Sequence, residues 1–381
     1  MKFTINSNEL MRVLRVIDFI TRDSNSLKGS NASDDAIYAL FETSKDKLII
    51  KGASENIFYI KVVAEANIES KGKCILDISS LMRFSFKAKE VTIEDKGETL
   101  AVSCGRLKST ISAKTDTQEI EDAIPDKEPE ASLSIPIKEL SVALDNVIFS
   151  SYDTDIEYGL PFSLITTKDK NVYACSNDHF CTTMYEVKKL KGKIKLNKMR
   201  TLPSNILERV IKSTLDKNIS FKFEKKSFIL KTEDITLQYP QPQYDALGHV
   251  LQAVEQWEAE KPEMSFKFFP DSLSNAIEEV GSIKDSDDIR VDLLIKANKL
   301  ILKTKGDLGE AKSYAKIKNV KGKLKSIAVV WNIFYELIAH IGNVVDGPCI
   351  ISVRKNVVFV ESKNKGTQYT CTRITDEYDQ D

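Results

Sequence analysis

The sequence of 381 residues has few of the residues from which metal sites, disulfide frameworks and membrane spans are built. Three histidines are too few for a histidine-rich metal site, and the six cysteines form no CxxC pair, so we expect reduced thiols. No apolar run reaches the ~18–20 residues of a membrane-spanning helix. The N-terminal MKFTINSNEL lacks the apolar core of a secretory signal, so a cytoplasmic protein is expected.

Motifs of nucleotide and acyl-transfer chemistry are absent as well. The sequence contains no Walker A loop, no GxGxxG fingerprint and no GxSxG elbow. The cluster at residues 177–179, Asn-Asp-His, has no implied serine partner and is typical of a turn capped by polar side chains. The aspartates within 285–288 lack the glycine and distal glutamate of an EF-hand loop. The sequence therefore predicts no enzyme, no catalytic residue, no metal and no cofactor.

Charge is distributed unevenly along the chain. The formal net charge is −1, but residues 116–130, 251–263 and 375–381 together carry −13 and leave +12 on the rest. These acidic stretches have the composition of linkers and of a tail. Because binding follows the local field rather than the total charge, the basic remainder is compatible with a polyanionic partner.

One pattern occurs three times in the chain. Phe3–Leu14, Leu133–Leu144 and Phe266–Ile277 align without gaps, at offsets of 130 and then 133 residues. Each predicts a short strand followed by an amphipathic helix, and Asn6 with Glu9 could form a capping pair in the first copy. The apolar face of that first helix follows the i, i+3, i+4, i+7 spacing and consists of Leu10, Val13, Leu14 and Ile17.

Each copy continues with short β-rich runs, a second helix and further strands. The second helices are predicted at Ile78–Ala88, within Lys198–Leu215 from Pro203 and Ser204 onward, and at Val329–Ile341. The sequence thus predicts an α+β protein of three tandem domains, each made of two strand–helix–strand half-units. Strands at the end of one domain can pair with the next, and exposed edges at the chain ends favour head-to-tail pairing with another chain. The predicted segments are domain 1 (1–125), domain 2 (131–250), domain 3 (263–374) and an acidic tail (375–381).

The order and spacing of several strings resemble the bacterial-type DNA sliding clamp, the β subunit of the DNA polymerase III holoenzyme. They are MKFTINSNELMRVL, SNDHF (176–180) in place of a TDGHR-like turn, QPQYDALGHVL (241–251) in place of an FPDY segment, and TQYTCTRI (367–374) as the closing strand. The departures mark a divergent relative and would suit a phage or other mobile element.

The resemblance implies a homodimeric head-to-tail ring of six similar domains, with helices inside and antiparallel sheets outside. Double-stranded DNA would pass through the channel without sequence readout. The ring would tether the replicative DNA polymerase and would be opened by a separate ATP-driven clamp loader.

A processivity factor must attract phosphates without reading bases, which suits lysine and arginine on inward helices. The alternative for each is an ordinary solvated helix face. The first helix of domain 3 instead carries Asp271, Glu278 and Glu279, and residues 331–340 contain no lysine or arginine. Either domain 3 lines the channel weakly, or the loop lysines 321, 323 and 325 compensate. The candidate DNA-binding residues are Arg12, Arg15, Arg22, Arg83, Lys87, Lys198, Arg200, Arg209 and Lys212.

The resemblance also implies a pocket for short apolar partner peptides between domains 2 and 3. Because Asp178 replaces a glycine, Phe180 replaces an arginine and the closing strand is rich in threonine, we expect a pocket that is smaller, more polar or suited to a different peptide motif. Ordinary turn and core packing is the alternative for each residue. The acidic tail is either solvated or screens the groove against wrong partners. The candidate pocket residues are Asp178, His179, Phe180, Cys181, Pro242, Leu247, Thr370, Cys371, Thr372, Arg373 and Ile374.

Three functions of different classes remain open at this point. The favoured one is a ring that encircles DNA. The second is a scaffold protein that shares the fold but has lost encirclement, for which the acidic helices of domain 3 are the main support. The third is a hydrolase built on Asp178 and His179. A trimeric ring of two-domain chains is disfavoured, because such chains carry four half-units and this sequence carries six.

Overall fold

The structure is a computed structural model and describes most of the chain. The described residues are 1–26, 37–54, 58–113, 118–125, 130–150, 160–166, 171–178, 181–192, 200–224, 227–240, 259–283, 290–306, 308–355, 357–362 and 367–372. The chain is α+β, as the sequence predicts, and its sheets are antiparallel. Contacts group it into two compact units that divide the middle copy: Met1–Lys138 with Lys189–Lys193 and Asn205–Pro242, and Glu139–Lys188 with Ile194–Ser204 and Gln243–Asp381.

The first unit contains two sheets and the helices that pack on them. The strands of copy one are β1 (Lys2–Asn6), β2 (Tyr38–Ser44), β3 (Lys47–Ser54), β4 (Phe58–Glu65), β5 (Asn67–Ser70), β6 (Lys73–Asp77), β7 (Glu90–Asp95), β8 (Thr99–Cys104) and β9 (Leu107–Ser112). The copy-two strands of this unit are β10 (Leu133–Pro136), β15 (Asn218–Phe223), β16 (Ser227–Lys231) and β17 (Ile235–Pro240). The helices are α1 (Ser7–Ser26), α2 (Ile78–Met82), α3 (Gln118–Ala123) and α5 (Ser204–Ser213).

Strand pairing joins copies one and two within this unit. The five-stranded sheet has the order β5-β1-β7-β8-β9, and the eight-stranded sheet has the order β10-β15-β16-β17-β4-β3-β2-β6. The junction is the β17–β4 pair, in which Leu237 lies opposite Ile60. Both side chains are completely buried, so the sheet continues across the sequence boundary between the copies.

The second unit is built on one twelve-stranded sheet, ordered β14-β11-β12-β13-β25-β24-β23-β18-β21-β20-β19-β22. The pair β13–β25 joins copies two and three in the way that β4–β17 joins copies one and two. The helices are α4 (Ile137–Val147), a 3₁₀ turn (Ile148–Ser150), α6 (Pro270–Gly281) and α7 (Trp331–Val344). The strands are β11 (Leu160–Thr166), β12 (Val172–Asn177), β13 (Cys181–Glu186), β14 (Arg200–Thr201), β18 (Met264–Phe268), β19 (Arg290–Lys296), β20 (Lys299–Gly306), β21 (Gly309–Gly322), β22 (Ser326–Val330), β23 (Cys349–Arg354), β24 (Val357–Ser362) and β25 (Thr367–Thr372).

Helix α1 has the apolar face that its sequence predicts. All four residues of the i, i+3, i+4, i+7 series are completely buried. Asn6 caps the helix, because its Oδ1 accepts hydrogen bonds from the backbone N–H groups of Asn8 (3.0 Å) and Glu9 (3.3 Å). Glu9 does not complete a reciprocal capping box; its carboxylate instead binds Arg12.

The second helix of copy one is shorter than predicted. It begins after Asp77, whose carboxylate accepts from the backbone N–H of Ser79, and it ends at Met82 rather than Ala88. A turn at Arg83 and Phe84 follows, and from Arg83 to Lys89 exposed and half-buried residues alternate with a period of two in chain that is not helical. The apolar residues Phe84 and Phe86 follow that alternation, so the prediction of one continuous helix was wrong.

The other second helices confirm the sequence more closely. Helix α5 begins at Ser204, directly after Pro203, and Ile206, Leu207 and Val210 are buried. Helix α7 begins at Trp331 because Val329 and Val330 complete strand β22. At the end of α6, Gly281 lies so close to Trp331 that an added Cβ would come within 2.4 Å of the indole ring, which explains the glycine.

Candidate nucleic-acid interface

A cavity of about 660 Å³ in the first unit brings together five of the nine predicted DNA-binding residues. It lies among the α1, α2 and α5 segments, so both copies of this unit contribute to it. No carboxylate is among its lining residues. They are Asn8, Met11, Arg12, Arg15, Met82, Arg83, Phe84, Ser85, Phe86, Arg209, Lys212 and Ser213.

Arg12 is committed to contacts inside the protein. Its guanidinium binds the Glu9 carboxylate through two hydrogen bonds of 2.8 and 2.6 Å and the Asp234 carboxylate at 2.7 Å. It also donates to the backbone carbonyl of Ser213 at 2.6 Å. Burial lowers the pKa of Arg12, but the bonds to the two carboxylates outweigh it and raise the pKa overall. Arg12 therefore joins α1 to copy two and leaves phosphate binding to its neighbours.

Arg15 and Arg83 are the cations of the cavity that are free to bind a ligand. Both are exposed, and neither has an ion-pair partner among the described residues. Arg15 lies one turn after Arg12 on α1, and Arg83 directly follows α2. An exposed, unpaired guanidinium can reach a phosphate without breaking an existing bond.

Two further cations of the cavity belong to α5. The guanidinium carbon of Arg209 lies 4.5 Å from the centroid of the Phe19 ring, so a cation–π contact positions it against α1. Lys212 binds Glu208 one helical turn earlier. Both groups stay near the surface, where a surface ion pair is worth only ~0.3–0.5 kcal/mol and is easily exchanged for a phosphate.

Two of the remaining predicted cations, Arg22 and Lys87, are described in full and lie outside the cavity lining. Arg22 binds Asp18 (3.1 Å) and donates to the Ser79 hydroxyl (3.2 Å), outside the cavity lining. Lys87 is exposed in the non-helical segment after α2. Arg200 lies in β14, but its side chain is outside the described residues, as is all of Lys198.

The sequence analysis missed the aromatic part of this surface. Phe84 and Phe86 line the cavity, with ring centroids 6.0 Å apart. The alternation of arginine, phenylalanine, serine, phenylalanine and lysine over residues 83–87 was the available signal, because it indicates extended chain with one apolar side.

Copy three differs from copy one in where its charge lies. Asp271, Glu278 and Glu279 of α6 are exposed, as the sequence implies, and Glu279 accepts a hydrogen bond from the Ser313 hydroxyl. Lys321 belongs to β21 rather than to a loop, and only Lys323 and Lys325 lie between β21 and β22. The exposed lysines of this copy are concentrated on strands.

The predicted peptide pocket begins where β12 ends and β13 starts, and Asn177, Asp178 and Cys181 are the described residues there. The Asp178 carboxylate accepts from the backbone N–H of Cys181 at 2.7 Å. The Asn177 amide donates to the carbonyl of Cys181 (3.0 Å) and to the hydroxyl of Thr182 (2.7 Å). These contacts are those of a turn capped by polar side chains, which the sequence favoured over a hydrolase site.

The described pocket candidates on β13 and β25 pack inward. Cys181 and Cys371 lie opposite each other in the β13–β25 pair and are 4% and 1% exposed. Thr370 is 5% exposed, and its hydroxyl bonds the backbone of Thr182. Cys181 and Cys371 belong to the hydrophobic core of the second unit. Thr370 faces the opposite side of the strand, because adjacent strand residues alternate, and it is buried there as well, so none of the three side chains offers surface to a peptide. The side chain of Thr372 and all of His179, Phe180, Pro242, Leu247, Arg373 and Ile374 lie outside the described residues.

A buried polar cluster supports this second unit. The Tyr369 hydroxyl donates to the Asn146 amide oxygen at 3.1 Å, and the His340 ring lies 3.2 Å from the Asn146 carbonyl. Phe149 stacks on His340 with centroids 4.2 Å apart. Burial lowers the pKa of His340, since the site disfavours the charged imidazolium. The cluster joins α4, α7 and β25, and no motif in the sequence predicts it.

Among the described residues, no group of three histidine, cysteine or carboxylate side chains is placed to hold a metal ion. In the same part of the chain no helix is long and apolar enough to cross a membrane. The aspartates at 285–288 and the acidic tail lie outside the described residues, so the expectations for them stay predictions.

Comparison with known proteins gives no match by sequence: no family model and no curated protein matches the chain. Solved structures do match over 98% of it. The DNA polymerase III β subunit of Thermotoga maritima has 15% identity, 99% coverage of its own chain and a TM-score of 0.74. The Pseudomonas aeruginosa DNA polymerase sliding clamp with ligand has 14% identity, 100% coverage of its own chain and a TM-score of 0.76. The Helicobacter pylori β clamp bound to a DNA ligase peptide has 15% identity, 100% coverage of its own chain and a TM-score of 0.73. The chain therefore has the three-copy fold of the DNA polymerase III β-subunit sliding clamps.

Proposed function

We propose that the protein is a DNA polymerase processivity factor: a homodimeric ring that encircles double-stranded DNA and slides on it. The observation that carries the proposal is a repeated rule of strand pairing. Neighbouring copies meet twice within the chain. Each time, the third strand after the first helix of one copy pairs with the last strand of the next copy. The junctions are β4 with β17 and β13 with β25.

The same rule predicts a third junction, between two chains. Its strands would be β21 of copy three and β9 of copy one in a second molecule. Among the described residues, β9 pairs only with β8, and Gly309–Lys316 of β21 pair only with β20, so both edges are open. A chain of head-to-tail contacts leaves an open strand edge at each end unless the molecules close into a ring. Two molecules would close a ring that contains six copies of the repeated domain.

The apolar residues of β9 support this pairing. Leu107 and Ile111 lie opposite the buried Cys104 and Leu100 of β8, on the core side of the sheet, yet both are only half-buried. The corresponding residues of β17, Ile235 and Tyr239, are each 1% exposed in the sheet that β4 continues. A partner strand would bury Leu107 and Ile111 in the same way.

DNA would be held by charge alone. Arg15, Arg83, Arg209 and Lys212 present cations on a concave surface, and their contacts with phosphates would not depend on base sequence. Such contacts exchange readily with counterions, so the ring can slide while topology keeps it on the DNA.

Partner proteins would bind as short peptides, and the chain itself would be non-enzymatic. The Helicobacter pylori clamp was solved with a DNA ligase peptide, which supports a peptide site in this chain. The resemblance of SNDHF and TQYTCTRI to family segments is what locates that site near residues 176–180 and strand β25. Because Cys181, Thr370 and Cys371 are buried, the site would be formed by their neighbours and would be shallow. A replicative polymerase and an ATP-driven loader are the proposed partners, since the sequence has no Walker A loop of its own.

Native mass spectrometry and retention on circular DNA test the proposal together. The protein should be a dimer at micromolar concentration, should stay on nicked circular DNA when a loader is supplied, and should leave when the DNA is linearised. Ile111→Glu should give a monomer without retention, because it places a charge in the predicted junction. Thr110→Glu is the matched control on the exposed side of the same strand.

Two outcomes contradict the proposal. A wild-type protein that is monomeric at every concentration excludes the ring. A dimer that is never retained on circular DNA favours the scaffold protein instead, for which the exposed carboxylates of α6 are the supporting observation.

A further inference from the structure

The exposed face of strands β20 and β21 carries a dense group of lysines, here called the lysine face. Its side chains alternate with buried residues: Leu300, Leu302, Ala315 and Ile317 point into the core and are at most 1% exposed. The outward residues are exposed, and none of the lysines has an ion-pair partner among the described residues. The lysine face consists of Lys299, Lys303, Lys305, Lys312, Lys316 and Lys318, with Tyr314 between them.

The pairing register brings these like charges together. Lys299 lies directly opposite Lys316, and Lys303 lies directly opposite Lys312. Tyr314, opposite Ile301, separates the two lysine pairs. Opposed like charges on a sheet face destabilise it, because their Cβ atoms are only ~4.5–5.5 Å apart. A polyanion bound on this face would remove that repulsion.

Copy one shows that the fold does not require this arrangement. There Lys47 lies opposite Glu65, the position of Lys316 in copy three. Lys51 lies opposite Lys61, as Lys303 lies opposite Lys312, but Lys51 also binds the Glu42 carboxylate at 2.9 Å. Helix α3 also packs on that sheet through Ile120. Copy one thus neutralises and partly covers the face that copy three leaves basic and exposed.

Two exposed aromatic rings accompany the lysines. Tyr314 is 54% exposed, with the Lys299 ammonium 4.2 Å from its centroid. Phe269 is 47% exposed, with the Lys318 ammonium at 5.8 Å. An aromatic ring among lysines suits a partner that offers both phosphates and stackable bases. A duplex hides its base faces and an acidic peptide has none, so single-stranded nucleic acid fits best.

We propose that the lysine face binds single-stranded nucleic acid, with phosphates on the lysines and a base stacked against Tyr314. This surface is separate from the cavity cations, and its binding requires neither a ring nor encirclement. It would give the protein contact with unpaired DNA or RNA in addition to the duplex. Binding would be independent of sequence and strongly dependent on salt, because lysine contacts phosphate as a point charge.

Fluorescence anisotropy with a labelled 20-mer of deoxythymidine tests the proposal. Changing Lys299, Lys303, Lys312 and Lys316 to glutamine should weaken binding at least tenfold at 50 mM NaCl. It should also flatten the slope of log K against log salt by roughly 0.7 for each phosphate that the variant no longer neutralises. Tyr314→Ala should weaken binding about fivefold or more, and Tyr314→Phe should restore it, since the ring supplies the stacking.

A control variant separates position from total charge. Changing four other exposed lysines, Lys45, Lys71, Lys217 and Lys261, to glutamine alters the net charge equally and should leave affinity within twofold. Ultraviolet cross-linking to 4-thiothymidine, followed by mass spectrometry, should mark peptides of β20 and β21. Retention of the lysine-face variant on circular DNA should match wild type, so this test and the ring test fail independently.

Three results would overturn the proposal. One is an equal loss of affinity in the control variant, which would reduce the effect to net charge. Another is a cross-link that maps only to other strands or helices. The third is tighter binding of a 20-residue polyglutamate that depends on the same lysines, which would assign the face to an acidic protein.

Discussion

Replacing Arg12 tests how copies one and two are joined in the first unit. Arg12→Met keeps the length of the side chain but removes the bonds to Glu9, to Asp234 and to the Ser213 carbonyl. The side chains of Arg12 and Asp234 are each 15% exposed, so little solvent screening is available. Asp234 keeps the hydroxyls of Thr214 (2.6 Å) and Thr232 (2.8 Å), which limits the cost of leaving its charge unpaired.

The expected cost follows from these contacts. Hydrogen bonds to charged groups contribute ~1.5–3 kcal/mol each, and removing one partner of a buried pair costs ~3–5 kcal/mol. With two hydroxyls left on Asp234, we expect the free energy of unfolding to fall by roughly 3 kcal/mol. At an m value of ~2 kcal/mol/M, the urea midpoint of the first unit moves down by about 1.5 M.

The two tryptophans allow the effect to be located. Trp331 belongs to the second unit, and Trp257 lies in the sequence between copies two and three, so no tryptophan reports the first unit, while far-ultraviolet circular dichroism reports both units. The circular dichroism transition should move and the fluorescence transition should stay. Arg15→Met is the matched control, because Arg15 is an exposed arginine on the same helix and should change stability by less than ~0.5 kcal/mol.

A double-mutant cycle completes this test. Arg12→Met with Asp234→Asn should show a coupling energy of about 0.5–3 kcal/mol, the range for residues in one network. If Arg12→Met were no worse than Arg15→Met, the network would not join the copies and the reasoning would be refuted.

Three further predictions concern pH, thiols and salt. Because burial lowers the pKa of His340, the imidazole binds a proton more readily in the unfolded chain than in the folded protein. The free energy of unfolding should therefore fall as pH drops below ~6.5 and level off below the folded pKa. His340→Gln should remove this pH dependence in urea titrations at pH 5 to 8. Burial raises the pKa of Cys175 and Cys371 to about 12, so thiol reagents should react with these residues only after unfolding. Changing Arg15 and Arg83 to glutamine should reduce the salt slope of duplex binding by roughly 1.8 and leave the urea midpoint unchanged; an unchanged slope would show that neither residue contacts phosphate.

The triplicated α+β fold was predictable because apolar periodicity depends on local sequence. Helix α1, with its face from Leu10 to Ile17, and α5 after Pro203 follow directly from spacing and capping. The end of α2 was missed because the helical pattern was extended over residues 83–88, where the sequence already alternates with a period of two.

The site was less predictable, because it depends on which side chains meet across the copies. The sequence made both Arg12 and Arg15 candidates for DNA binding, but Asp234, 222 residues from Arg12, determines that only Arg15 is free. Likewise, Lys299 lies opposite Lys316 because of the register in which β20 and β21 pair. The amino-acid composition of the two strands does not reveal that register. Long-range pairing of this kind is what the local pattern does not contain.

The pair of Ile60 with Leu237 has a consequence for synthesis on the ribosome. Strand β4 is translated early, and its partner β17 follows only after ~175 further residues, roughly 10–35 s at 5–20 residues per second. Over that interval the β4 edge is open to wrong partners, which is a known route to aggregation. The nascent chain should therefore depend on chaperones until β17 emerges, and truncation between copies one and two should yield insoluble protein.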